Sequence, residues 1–166
     1  LEAAADGHKN ALILPCDISN PSNVDDAFAT ALAKWGRPDV LFNNAGIGGG
    51  GSFVEGSREE WEKCFAVCWY GVYYCTRAFI DHIVSSEEGH IVNTSSINGF
   101  WASLGGTPHT SYSAAKFAVK GFSEALIDDL RVNAPHVNVS VVMPGHIGTS
   151  IAENTGKILG GKRTEE

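Results

Sequence analysis

Val40-Leu-Phe-Asn-Asn-Ala-Gly46 is an apolar triplet closed by two amides and a glycine. A short apolar run bounded by turn residues reads as a buried strand running into a loop. Upstream, Gly36-Arg-Pro38 stops a helix that starts at Asn20-Pro21-Ser22. Its apolar residues Val24, Phe28, Ala31, Leu32 and Trp35 fall at helical spacing. Earlier still, Ala11-Leu-Ile-Leu14, closed by Pro15, reads as another buried strand. Downstream, Ser57 opens a capping box with Glu60. Trp61, Cys64, Phe65, Cys68, Val72, Cys75, Phe79 and Ile83 then mark one face of a long helix ending at Gly89-His90. Ile91-Val92 is a strand. Ser113 to Arg131 is a helix with Phe117, Phe122, Ala125, Leu126 and Leu130 inward, and Val137 to Met143 is a strand. Apolar strands that alternate with helices predict an α/β fold, a parallel sheet covered on both faces.

The chain has 166 residues, which suits one domain with a sizeable core. It carries 12 basic and 19 acidic side chains, a net charge of −7. An acidic chain with no basic block argues against nucleic acid and anionic membrane as partners. The longest uncharged stretch, Cys64 to Thr76, is too short to span a bilayer. No stretch reads as a signal peptide. Cys16, Cys64, Cys68 and Cys75 form no CxxC pair, which favours a reducing, cytoplasmic setting and predicts no metal site. The chain opens on Leu1 within a helix-like phrase, so further residues are expected upstream.

Gly46-Ile-Gly-Gly-Gly-Gly51 matches G-x-G-x-x-G and follows a strand. A dinucleotide fingerprint also needs its last glycine to open a helix and an acidic residue about 20 positions on. Here the helix starts near Arg58, and positions 66 to 76 are uncharged. The loop reads instead as the flexible carboxyl end of a strand, where open α/β sheets take their ligands.

Four other pieces fall at that same sheet edge. Asn43-Asn-Ala-Gly46 and Asn93-Thr-Ser-Ser96 end strands, Tyr112-Ser-Ala-Ala-Lys116 opens a helix, and Pro144-Gly145 ends the following strand. Together with Cys16-Asp17-Ile18 and Thr149, and in this order, they resemble the short-chain dehydrogenase/reductase family in its one-domain form. The resemblance covers nearly the whole chain. It implies a Rossmann-type doubly wound sheet in three αβα layers, NAD or NADP as cofactor, and hydride transfer to or from an alcohol or carbonyl.

The residue types suit that chemistry. Hydride leaves a carbinol carbon only as its hydroxyl proton is removed. A free tyrosine, with a pKa near ~10, is too weak a base at neutral pH. Lys116 lies one turn from Tyr112, where its ammonium would stabilise the phenolate. The resemblance also gives Lys116 the nicotinamide ribose. It gives Ser96, rather than Ser95, the substrate oxygen. It places Asp17 at the adenine, Asn44, Ala45 and Gly46 along the cofactor, Ile147 and Thr149 at the carboxamide, and Ile18, Val67, Pro144 and Gly145 among the other cofactor-binding residues. Phe100, Trp101 and His146 are expected to wall an apolar substrate cleft, with Leu104 near by. The plainer readings are a packing aromatic for Tyr112, a solvated charge for Lys116, and caps for Ser96, Asp17 and Thr149.

The chain departs from the family pattern in two ways. Cys68 takes the position of an Asn that the family joins to Ser, Tyr and Lys. The family's first strand, phosphate turn, second strand, C-terminal lid and last strand have no match here. Residues 1–166 are therefore expected to form one partial domain. A gap two strands wide would lie between Ala11–Leu14 and Val40–Phe42, and the basis for choosing NAD over NADP would lie outside the chain. Trp69, Tyr70, Tyr73 and Tyr74 leave the long helix apolar nearly all round. With the resemblance, this predicts a homodimer or homotetramer through the 57–85 and 112–131 helices. The rival function is a catalytically weak, nucleotide-binding relative. A Ser-His-Asp hydrolase is disfavoured by the lack of a G-x-S-x-G elbow.

Overall fold

The computed structural model describes residues 8–49, 51–102, 108–145 and 147–159. Helix α1 is Pro21–Trp35 and strand β1 is Val40–Asn43. Helix α2, Arg58–Phe65, passes through a π-turn at Ala66–Tyr70 into α3, Gly71–Val84. Strand β2 is His90–Thr94, followed by a 3-10 turn at Ile97–Gly99. Helix α4 is Thr110–Asn133, β3 is Asn138–Val142 and α5 is Ile151–Leu159.

The helix ends follow their local chemistry. Asn20 caps α1 by accepting from the Ser22 N–H at 3.0 Å, with Pro21 at the first helical position. Gly36 closes the helix at φ 75°, and its N–H reaches the Leu32 carbonyl. Ser57 caps α2 by accepting from the Glu60 N–H.

The sheet is parallel in the order β1-β2-β3. Leu41 lies beside Ile91, and Ile91 beside Val139. All three face Phe79, Ile80 and Ile83 of α3 and Leu126 and Leu130 of α4, forming the main core. Helix α1 joins them through Phe28, whose ring lies 4.5 Å from that of Phe79. The described helices thus cover one face. The other face carries Val40, Val142 and Phe42, the last 69% exposed. Each crossover steps one strand further in the same direction, and right-handed crossovers that run one way place their helices on one side. A buried polar chain crosses the carboxyl end of the sheet. The Asn43 amide donates to Thr76 at 3.0 Å and to Asn93 at 2.8 Å, and the Asn93 amide donates to Ser123 at 2.9 Å.

Three sequence expectations are corrected. Ala11–Leu14 forms no ladder among the described residues. A strand needs a neighbour about 4.8 Å away, and here a cavity of about 230 Å³, lined by Leu14, Ile18, Phe28 and Phe42, separates the segment from β1. Trp35 is exposed because it ends α1 beyond the part that packs on α3. Phe117 is exposed because α4 buries Ala115, Val119, Ser123 and Leu130; two residues past Ala115 is about 200° around the helix. Trp69, Tyr70, Tyr73 and Tyr74 form a run of contacting rings, with Tyr70 and Tyr73 exposed. Among the described residues, no helix is long and apolar enough to cross a membrane.

Candidate active site

Tyr112 and Lys116 lie one turn apart near the start of α4, and the Lys116 ammonium is 5.6 Å from the centre of the Tyr112 ring. Only 4% of Lys116 is exposed, and its Nζ donates to the Thr94 carbonyl at 2.8 Å. Burial pushes its pKa below the usual lysine value, and the Cys68 and Cys64 thiols oppose that shift. Burial raises the Tyr112 phenol above its usual value, and a hydrogen bond with Ser96 works against it. Ser96 is thus the neighbour whose hydrogen bond works to lower the phenol in this structure.

The two adjacent serines have separate tasks. Ser95 is buried, and its Oγ donates to the Lys116 carbonyl at 2.8 Å. Ser96 Oγ accepts from the Asn98 N–H at 3.1 Å and so caps the 3-10 turn. A hydroxyl that accepts there keeps its own proton to donate. The cap reading and the site reading of Ser96 therefore describe one geometry.

Gly99 lets the 3-10 turn press on α4. A Cβ there would collide with Ser95 Oγ and lie 2.6 Å from the Lys116 carbonyl oxygen. Gly99→Ala should overpack this contact by about 1–3 kcal/mol. That lowers the melting temperature by about 2–4 °C for each kcal/mol at this size, as calorimetry would show.

Cys68 is fully buried in the π-turn, its Sγ 3.1 Å from the Ile47 carbonyl oxygen and beside Cys64. A hydrogen bond from Cys64 and the nearby Lys116 ammonium lower its pKa to about 7, against burial. Asparagine is larger and needs more partners than this site shows. Cys68→Asn should therefore reduce the melting temperature, while turnover per folded molecule is kept or raised. A calorimetric scan beside active-site-normalised rates checks both parts.

The residues assigned to the cofactor line one edge. Asn44 Oδ1 accepts from Thr94 Oγ1 at 3.0 Å, which fixes the turn after β1 to the end of β2. A Cβ on Gly46 would lie 3.6 Å from Lys116 Nζ and 3.8 Å from Cys68 Sγ, so this backbone runs directly over the site. Ala45 is exposed. Val67 is buried in the cluster of Ile47, Cys64, Cys68 and Ala115. The Pro144 carbonyl accepts from the Ile97 N–H at 3.0 Å, and Gly145 has open space where a Cβ would stand. Ile147 is exposed, and its carbonyl accepts from the Thr149 N–H at 2.8 Å. Thr149 Oγ1 accepts weakly from the Ile151 N–H, at 3.4 Å.

Asp17 is engaged by its own neighbourhood. Its Oδ1 accepts from the Ser19 N–H and hydroxyl, and its Oδ2 pairs with Lys63 at 3.0 Å. These contacts hold its pKa at about 2, so it is a carboxylate. Ile18 packs its side chain on Gly71, where a Cβ would collide with it. An ionised acceptor at one end, open glycines at the other and exposed backbone between them fit an elongated dinucleotide.

Phe100 and Trp101 pack edge to face at 4.6 Å and are half exposed, with Lys120 Nζ 5.9 Å from the centre of the Phe100 ring. His146 and Leu104 lie outside the described residues. Sequence reasoning missed Thr94, Ser95, Lys63 and Thr155. The first two act through contacts with Lys116, and Lys63 meets Asp17 across 46 positions. Thr155 accepts from the Gly48 N–H at 2.7 Å, so the glycine loop seats α5. Leu159 packs against Gly49, whose φ is 113°.

The sequence pattern of the short chain dehydrogenase family matches residues 1–158. The chain is 36% identical over 143 residues to 3-ketodihydrosphingosine reductase of Bacteroides thetaiotaomicron, covering 86% of this chain and 51% of that protein. It is 33% identical over 144 residues to 3-oxoacyl-[acyl-carrier-protein] reductase of Synechocystis, covering 87% and 56%. A short-chain dehydrogenase/reductase of Burkholderia phymatum, solved with NAD, superposes with a TM-score of 0.78 at 33% identity, covering 91% of this chain and 53% of that one. The chain thus spans about half the length of these relatives.

Proposed function

Because this chain belongs to the short-chain dehydrogenase family, we propose that it serves hydride transfer between NAD(P)(H) and an alcohol or carbonyl substrate, with Ser96, Tyr112 and Lys116 as its catalytic residues. The observation that carries this is their convergence. A phenol, a hydroxyl with a proton to give, and a buried ammonium meet at one sheet edge.

A bound nicotinamide supplies the carbon that gives or accepts hydride. The chain's residues handle the proton and the charge. Ser96 donates to the substrate oxygen and steadies its developing negative charge. Tyr112, protonated at neutral pH, gives its proton to that oxygen in carbonyl reduction. Lys116 keeps positive charge beneath the phenol and holds the ribose. Asp17 takes the adenine, Asn44, Ala45 and Gly46 the middle, and Ile147 and Thr149 the carboxamide, with Ile18, Val67, Pro144 and Gly145 among the other cofactor-binding residues.

The phenol carries its proton at neutral pH, the form that carbonyl reduction uses. The two aligned relatives are named as a 3-ketodihydrosphingosine reductase and a 3-oxoacyl-[acyl-carrier-protein] reductase. The exposed Phe100–Trp101 pair supports an apolar substrate. Exposed Tyr70, at the end of the π-turn, and Tyr73 of α3 support assembly into a homodimer or homotetramer through the long helices, within one domain. A second reading, a catalytically weak nucleotide-binding protein, is favoured by Cys68 and by the half-length match to the relatives. Loss of NADH or NADPH absorbance with a panel of long-chain ketones and 3-oxoacyl thioesters tests the choice. Cofactor binding with no turnover on any of them would favour the second reading.

A further inference from the structure

We propose that Trp61 and Ser111 are positioning residues that hold Tyr112 for proton transfer, an inference that rests on the catalytic reading above. Tyr112 is the third residue of α4. The first turn of a helix has backbone donors without helical partners, and it frays first. His109, at the cap position of α4, makes no side-chain capping hydrogen bond. The first turn therefore relies on contacts from outside the helix.

Those contacts converge on the two residues before the tyrosine. Ser111 is fully buried, and its Oγ donates to the Trp61 carbonyl at 2.6 Å. The same hydroxyl lies against the Cys64 thiol. The Trp61 indole N–H donates to Thr110 Oγ1 at 3.0 Å. Thr110 Oγ1 donates onward to the Gly51 carbonyl at 2.9 Å, and that oxygen also takes the Thr110 N–H at 3.3 Å. Trp61 thus grips residue 111 with its backbone and residue 110 with its ring. The indole is itself fixed, stacked on Phe65 at 5.4 Å and 9° and met edge-on by Phe53 at 6.2 Å.

The grip runs from α2 and the glycine loop to the start of α4, and it sets where the Tyr112 backbone stands. Proton transfer is steep in distance, and a misplacement of about 1 Å can cost about a hundredfold in rate. Ser96 and Lys116 are anchored separately, through Asn98, Thr94 and Ser95. Loosening the first turn therefore moves the phenol relative to partners that stay put.

Trp61→Phe deletes the indole N–H and keeps a ring, while Ser111→Ala deletes one hydroxyl. In the whole protein, each should lower kcat by about tenfold, with KM and cofactor Kd within about twofold of the parent. Amide exchange at residues 112 to 114 should quicken, and the apparent pKa of kcat should move. Loss of folded protein alone would lower the active fraction and leave the pH profile in place. Unchanged kcat per active site in both variants, or a fall with an unmoved pH profile, overturns the proposal. Tyr112→Phe, run alongside, separates the layers. If it keeps turnover, the catalytic reading fails and this inference with it. If it loses turnover while Trp61→Phe and Ser111→Ala do not, this inference alone fails.

Discussion

Tyr112→Phe should reduce turnover by about 10²–10⁴-fold, the usual worth of a positioned acid or base, and leave cofactor affinity unchanged. The substitution removes one oxygen. That oxygen meets Ser96, and neither the Lys116 contact with Thr94 nor the Ser95 contact with the Lys116 carbonyl depends on it. Steady-state rates beside isothermal titration with NADH and NADPH make the check. A variant that keeps more than about a tenth of the parent rate would deny the phenol its role. The pH dependence has a definite sign. Burial holds the phenol above its free value, so reduction should stay level through neutral pH and fall as the phenol deprotonates. Alcohol oxidation needs the phenolate and should rise over that same interval.

Lys116→Met should abolish turnover and weaken cofactor binding together, yet leave the protein at least as stable. The side chain is 4% exposed, and among the described residues no carboxylate pairs with it. A buried ammonium faced only by the Cys68 and Cys64 thiols costs free energy, and methionine fills similar volume without the charge. The linkage follows from the depressed pKa. Between the folded pKa and the higher unfolded value, the unfolded chain binds more protons, so parent stability rises with pH across that window. The variant should lose this rise. Thermal melts across alkaline pH, with rates and cofactor titrations at neutral pH, test the pair of claims. A variant much less stable than its parent would show that the ammonium is better compensated than its neighbours indicate.

Much of this was legible in the chain because the signals were local. Asn20-Pro21 and Ser57 cap their helices, and the apolar runs Val40–Phe42 and Ile91–Val92 pair as parallel strands. Ser96 was distinguished from Ser95 by resemblance, and the structure supplies the physical difference: one hydroxyl is spent on a buried carbonyl, while the other still has a proton to give. What stayed hidden depends on contacts across long sequence separations. Nothing near Asp17 announces Lys63, and nothing near Tyr112 announces Trp61. Ala11–Leu14 has strand composition, yet composition does not provide a neighbouring strand. The expectation of a sheet covered on both faces came from apolar runs. Which face the helices take was decided by the handedness of the crossovers.

The Asn43–Asn93 pair bears on how this protein reaches its fold. Were β1 to slip by one residue, the Asn43 amide would move to the open face and Phe42 would take its buried place. The slipped state would leave Thr76 Oγ1 and Asn93 Oδ1 without their partner, a cost of about 1–3 kcal/mol for each buried group left unpaired. Each amide also reaches a helix, Asn43 through Thr76 on α3 and Asn93 through Ser123 on α4. Strand alignment and helix docking therefore stabilise each other: a chain that docked its helices on a misaligned sheet could not satisfy these groups, and the Tyr112 site would stand on a less stable base.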